Sequence, residues 1–275
     1  MGLLAGVAFS LATRAPAQAP AAEAPPAWPK IAPSIRQALL RELQPVKLSN
    51  CTMRRYGSEN DGGYLMCENL TDRVAAGYSY GIDQEDNWGC DVSHQLSVPI
   101  HQYDCFTDKR PVCSGGRFVF HDECVGPRRE TSGGHPFDTI TSQIARNGDA
   151  GKNVLIKIDI EGAEWDSLLA TSDAVLDTFV QLPMELHLRG TDEAKFLQVV
   201  RRLKQHFFLA NLHFNNWACS PDAAPLPAPA FQTLWVNKRV GVLETASPQP
   251  LNRLNSPDNP TAPDCQLPSS ARTGR

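Results

Sequence analysis

Apolar and polar positions along this chain follow two periods, one helical and one of strands. Ile35, Leu39, Leu40 and Leu43 recur at helical spacing and end at Pro45, which predicts an N-terminal helix. Arg54 and Arg55 then lead into Asn60-Asp61-Gly62-Gly63, a strong turn signal, and Tyr64 to Cys67 reads as the returning strand of a hairpin. Beyond it, short apolar runs predict strands at Gly77 to Gly81, Val98 to Tyr103, Phe118 to His121, Val154 to Asp159, Phe179 to Leu186, Phe207 to Phe214 and Phe231 to Val236. Helical periodicity fills gaps between them at Asp138 to Arg146, Ala163 to Ala170 and Asp192 to Gln205. Such alternation predicts an α/β domain with a mostly parallel sheet, crossover helices on both faces, and an antiparallel edge where the last strands form a hairpin.

The ends of the chain break this pattern. Residues 1–33 hold a short apolar run, Leu3 to Ala12, the small-residue pattern Ala17-Gln18-Ala19, and an Ala/Pro-rich lead-in. They read as a signal-like segment; ten apolar residues are too few for a stable membrane span, although an uncleaved start would still anchor the chain. From residue 245 to 275 the chain is polar and Pro-rich without periodicity, and is expected to be disordered. One domain, residues 34–244, remains.

Composition narrows the partners. The net charge of -4 and the pI near 6.0 come without a basic run, so nucleic acid is not expected as a partner. Asn50-Cys51-Thr52 and Asn69-Leu70-Thr71 are glycosylation sequons, and the eight cysteines form an even set with no pair separated by only two residues. Zinc is therefore not expected, and disulfides in a secreted or luminal protein account for the set better than buried free thiols. Cys51 with Cys67, bracketing one turn, and Cys105 with Cys124, near the ends of successive strands, are the expected pairs among four bridges.

Candidate chemistry concentrates in Asn153 to Trp165, NVLIKIDIEGAEW. A strand buried on both faces ends there in Asp159, Glu161 and Gly162, and ligands of open α/β sheets bind at such carboxyl ends. Glu161 and Glu164 would equally serve as acids at the positive end of the next helix. His187 ends the following strand beside Glu185; it is a candidate base, or a packed and hydrogen-bonded histidine.

In order along the chain, RYGSENDGGYLMC, GYSYGIDQEDNWGCDVS, QYDC, FVFHDECVG, NVLIKIDIEGAEW and QLPMELHL resemble an FkbM-type methyltransferase domain, in its animal methyltransferase-like branch, over about residues 45 to 240. The resemblance implies a Rossmann-like, doubly wound sheet and S-adenosylmethionine as methyl donor. Carried over, Gly81 and Asp83 stand in the cofactor loop after the first strand. Asp104, ending the second strand 23 residues after Gly81, is the expected acceptor for the ribose hydroxyls, or an ordinary loop acid. Asp122 after the third strand faces the adenine or belongs to a loop around a disulfide. The loop Gly81 to Gly89 lacks the compact glycine repeat of the pattern.

Methyl transfer needs alignment first and a base only for a hydroxyl or ammonium acceptor, which makes Asp159, Glu161 and His187 the catalytic candidates. Two other classes stay open. Asp159-Ile160-Glu161 imitates the acidic element by which secretory glycosyltransferases hold a divalent cation and a nucleotide sugar. A non-catalytic binding module on the same fold would explain the glycine-poor loop.

Overall fold

The computed structural model describes residues 33–189, 193–245 and 249–266; the signal-like start lies outside them. Helix α1 (Pro33–Glu42) leads to β1 (Lys47–Leu48) and a hairpin of β2 (Met53–Gly57) and β3 (Gly63–Cys67). Then come β4 (Val74–Tyr80), α2 (Asn87–Leu96), β5 (Ile100–Tyr103) and β6 (Phe118–His121). A small sheet of β7 (Cys124–Val125), β8 (Glu130–Ser132) and β9 (His135–Asp138) precedes α3 (Ile140–Arg146), β10 (Asn153–Ile158), α4 (Glu164–Ala170), α5 (Asp173–Leu176) and β11 (Phe179–His187). The chain continues through α6 (Glu193–His206), β12 (Phe207–Phe214), β13 (Ala230–Asn237) and β14 (Leu243–Thr245), the last paired with β1.

The main sheet has seven strands in the order β12-β13-β11-β10-β4-β5-β6. The five from β11 to β6 are parallel, and β13 is antiparallel to both of its neighbours. Counted in chain order, the parallel strands run 3-2-1-4-5 across the sheet, so the order reverses between β4 and β10. That reversal opens a crevice at the strands' carboxyl ends. The antiparallel pair closes one edge of the sheet, as the sequence pattern predicts, with β12 outermost and β13 inside it. Every residue of β13 is buried, whereas β12 alternates over its first half, and the fully buried strand takes the inner place.

Strand periodicity sorts the core in two. Val154, Ile156 and Ile158 of β10 and Leu182, Met184 and Leu186 of β11 join a cluster with α1, α3, α4, α5 and α6. Leu155 and Val180, pointing the other way, join Trp88 and Val92 of α2 and Tyr56, Tyr64 and Met66 of the hairpin. The hairpin is tied down by one buried amide: Gln181 Oε1 accepts from Cys67 N at 2.7 Å, and Gln181 Nε2 donates to Cys67 O and Leu70 O at 2.8 and 2.9 Å. Apolar alternation alone does not show such a tether.

All eight cysteines are paired. Cys51–Cys67 and Cys105–Cys124 are joined by Cys90–Cys113 and Cys219–Cys265, the usage of a chain folded in an oxidising compartment. Among the described residues no helix is long and apolar enough to cross a membrane. Both sequon asparagines use their amides on backbone: Asn50 Nδ2 donates to Val240 O, and Asn69 Nδ2 to Asn50 O, each at 2.8 Å.

The end of the chain corrects one expectation, that of disorder from residue 245. Residues 249–266 lie along β12 and β13 as an aperiodic strap, held by side chains instead of a ladder. Asn216 Nδ2 donates to Asn259 O and Ala262 O, Gln232 Nε2 donates to buried Asp258 at 2.9 Å, and Cys265 closes the bridge to Cys219. Polar, Pro-rich composition does not reveal a segment ordered this way.

Candidate functional site

At the strand ends the face covered elsewhere by α2 and the hairpin becomes open, and a cleft of about 1140 Å³ fills the gap. Period two decides what reaches it. With Ile156 and Ile158 in the helical core, Lys157 and Asp159 project to the opposite face; with Leu186 in that core, Glu185 and His187 do the same. Because β10 and β11 are neighbours, these four side chains meet.

The β10–β11 side is a dense charge cluster. Tyr64 of the hairpin donates its hydroxyl to Asp159 Oδ2 at 2.8 Å, and burial with the Asp159 charge holds that phenol well above its usual pKa, so it stays a donor. Lys157, 6% exposed, reaches the Gly81 carbonyl and stands 3.6 Å from Asp159 Oδ2. His187 Nδ1 meets Glu164 Oε1 at 2.6 Å; its Nε2 lies 3.7 Å from Glu161 Oε2 and 3.6 Å from Glu185 Oε1. Burial opposes the imidazolium, but the Glu164 hydrogen bond and the charges of Glu164, Glu185 and Asp159 outweigh it and raise His187 to about 9. Burial pushes Glu164 up, and burial with the charge of Asp159 pushes Glu185 well up. Asn215 Nδ2 donates to Glu185 Oε1 at 2.6 Å.

Glu161 sits apart from its buried neighbours. Its φ of 56° and that of Gly162, 109°, turn the chain sharply after β10, leaving Glu161 exposed and paired with Arg189 at 2.7 Å. Glu161 is therefore not a helix cap. Helix α4 begins at Glu164, whose side chain is committed to His187.

Across the cleft the acids behave differently. Asp86 caps α2, with Oδ1 accepting from Gly89 N at 2.7 Å and Oδ2 from Gln102 Nε2 at 2.8 Å. Asp104 Oδ2 accepts from Ile82 N and Asp83 N at 3.0 and 3.2 Å, and Oδ1 from Phe106 N and Thr107 N at 2.8 and 3.2 Å. Its four lone-pair sites are filled by backbone. Gly81, with φ 73°, must be glycine because a Cβ there would stand 1.7 Å from the Asp159 carbonyl oxygen.

The cleft thus brings together Gly81, Asp83, Asp104, Asp159, Glu161 and His187 of the residues singled out from sequence. Asp122 is exposed and outside the lining, although Cys124 and Val125, two and three residues on, are part of it. The stretch after Gly81, read as an open loop, winds into α2 from Asn87 onward. Glu185, Lys157 and Tyr64 were missed as a group, although the spacing of two from His187 and Asp159 placed the first two on the same face. Trp217, 64% exposed on the cleft wall, carries no sequence signal at all.

Compared with family models, curated proteins and solved structures, the chain matches none.

Proposed function

We propose that this chain is an S-adenosylmethionine-dependent methyltransferase resembling the FkbM type, on a doubly wound Rossmann-like sheet, with the donor on the β4–β5 side and the acceptor over β10 and β11. The observation that carries the reading is the charge of the cleft. Asp83, Glu85, Asp86, Asp104, Asp61, Asp159, Glu161 and Glu185 line it against three cations, Lys157, Arg189 and the His187 imidazolium, an excess of 8 − 3 = 5 acidic groups. A nucleotide phosphate placed at a helix N-terminus needs free N–H groups and positive surroundings. At α2 that place is taken by the carboxylate of Asp86, with Glu85 beside it. An adenosyl sulfonium carries no phosphate and brings positive charge.

In this reading Asp104 serves the donor indirectly, by shaping the two loops that receive it. The acceptor oxygen attacks the methyl carbon in line, the carbon–sulfur bond breaks, S-adenosylhomocysteine leaves as a neutral thioether, and the acceptor's proton passes to a base. An imidazole that keeps its proton to about pH 9 is not that base at neutral pH, which leaves Asp159 as the proton acceptor and His187 as a donor that orients. The cleft is larger than one small ligand requires, so donor and acceptor fit together.

A secretory glycosyltransferase is the second reading, favoured by one observation: ligand atoms of Asp159, Glu161 and His187 lie within 4.8 Å of one another, as a cation-held diphosphate would need. Thermal shift separates the two. S-adenosylhomocysteine raising the melting temperature, with no shift from a uridine diphosphate plus Mn²⁺, is the expected result; the reverse pattern replaces the first reading with the second.

A further inference from the structure

We propose that Asp159, Glu161 and His187, backed by Glu185, form a divalent-cation site at the carboxyl ends of β10 and β11. Their ligand atoms all lie within 4.8 Å of one another, and ligands held about 2.1 to 2.3 Å from one ion stand about 3 to 4.5 Å apart. Two carboxylates and one imidazole suit a hard or borderline ion of the Mn²⁺ or Mg²⁺ kind. The four disulfides leave no thiol to compete for it.

Two further observations, the second shared with the ligands themselves, point to a cation there. The first is Glu164, fully buried behind His187, with Oε1 on Nδ1 at 2.6 Å and Oε2 without a hydrogen-bond partner. A carboxylate on the rear nitrogen of an imidazole fixes the ring with Nε2 forward and strengthens it as a ligand. The second is the local charge. Asp159, Glu161, Glu164 and Glu185 outnumber Lys157, Arg189 and the His187 imidazolium, 4 − 3 = 1, and the deficit becomes 4 − 2 = 2 once Nε2 exchanges its proton for a ligand bond, in a place where Glu185 is only 3% exposed. A divalent ion supplies that charge, replacing the proton on Nε2 and releasing it to solvent.

The site follows from the residues alone. Its consequence for chemistry rests on the methyltransferase reading: with His187 and Asp159 as ion ligands, the ion would take over the orienting role of the His187 proton and hold the acceptor's oxygen beside the sulfonium, which makes the acceptor a hydroxyl compound, a second oxygen completing the chelate.

The test is a Mn²⁺ titration of the full, oxidised chain after chelator treatment, followed by electron paramagnetic resonance, with S-adenosylhomocysteine affinity measured in parallel. One Mn²⁺ per chain is expected. Glu161→Gln, on an exposed turn that leaves the core untouched, should weaken it at least tenfold, and Glu164→Gln by about 10 to 100-fold. No bound Mn²⁺, or binding unchanged in Glu161→Gln, overturns the site even if S-adenosylhomocysteine binds. Mn²⁺ binding that depends on Glu161, without S-adenosylhomocysteine binding, upholds the site and removes the methyltransferase reading instead.

Discussion

The two walls of the cleft are built from the same residue types and do opposite things. On the β4–β5 wall, Asp86 and Asp104 commit their carboxylate oxygens to backbone amides and a buried glutamine. On the β10–β11 wall, His187 Nε2 stands 3.7 Å from Glu161 and 3.6 Å from Glu185, too long for hydrogen bonds, and a carboxylate oxygen of Asp159 lies within 4.8 Å of Glu161 and His187. An acid at a strand end is therefore structural or chemical according to how many of its lone pairs the chain itself fills. Position alone does not distinguish them.

The largest effect should come from the strap that borders the open wall. Burial first, then the charge of Asp61, with Asp264 and Asp159 adding and Arg55 opposing, raise the Asp258 carboxyl to about 7; His213 Nδ1 faces it at 3.8 Å. An acid whose folded pKa lies above its unfolded value binds more protons when folded, so stability should fall as pH rises from about 4 to about 7 and change little above. The full shift corresponds to about 4 kcal/mol as an upper bound. Denaturant titrations across that range should show the slope in the native protein and a shallower one in Asp258→Asn, the remainder belonging to the raised carboxyls of Glu164 and Glu185.

Next is the committed wall itself. Asp86→Ala removes the cap of α2 and strands the buried Gln102 amide, so unfolding should become easier by about 3 kcal/mol. Asp159→Asn, on the open wall, keeps an acceptor for Tyr64 and should cost about 1 kcal/mol or less, while turnover, once an acceptor is found, drops far more than stability explains. Equal losses of stability for the two variants would erase the distinction between the walls. The smallest effect is expected at Trp217→Ala: an exposed indole should change stability by less than about 0.5 kcal/mol, and any loss of acceptor affinity would place the acceptor against that wall.

Much of this was legible beforehand. Each of the seven strands in the main sheet, the helices at α3, α4 and α6, and two of four disulfides follow from apolar period, turn residues and cysteine spacing. The meeting of Asp159 with His187 followed too, because a parallel sheet puts successive strand ends side by side. Three features were hidden for physical reasons. Helix α2 begins in a run of acids and amides with weak helical preference, and depends on the Asp86 cap. The strap has no period because its hydrogen bonds run from side chain to backbone. The occupancy of the Asp104 lone pairs is a property of two loops meeting in space, and its spacing of 23 residues from Gly81 says nothing of it.

Hydrogen exchange of the oxidised protein with and without S-adenosylhomocysteine tests the central claim most directly, since it reports both binding and place. The account predicts slowed amide exchange in 81–88 and 104–107, the loops that Asp104 joins, and around 159–163, with 249–266 unchanged. No change anywhere at saturating ligand, or protection confined to another part of the chain, would contradict a donor site in this cleft.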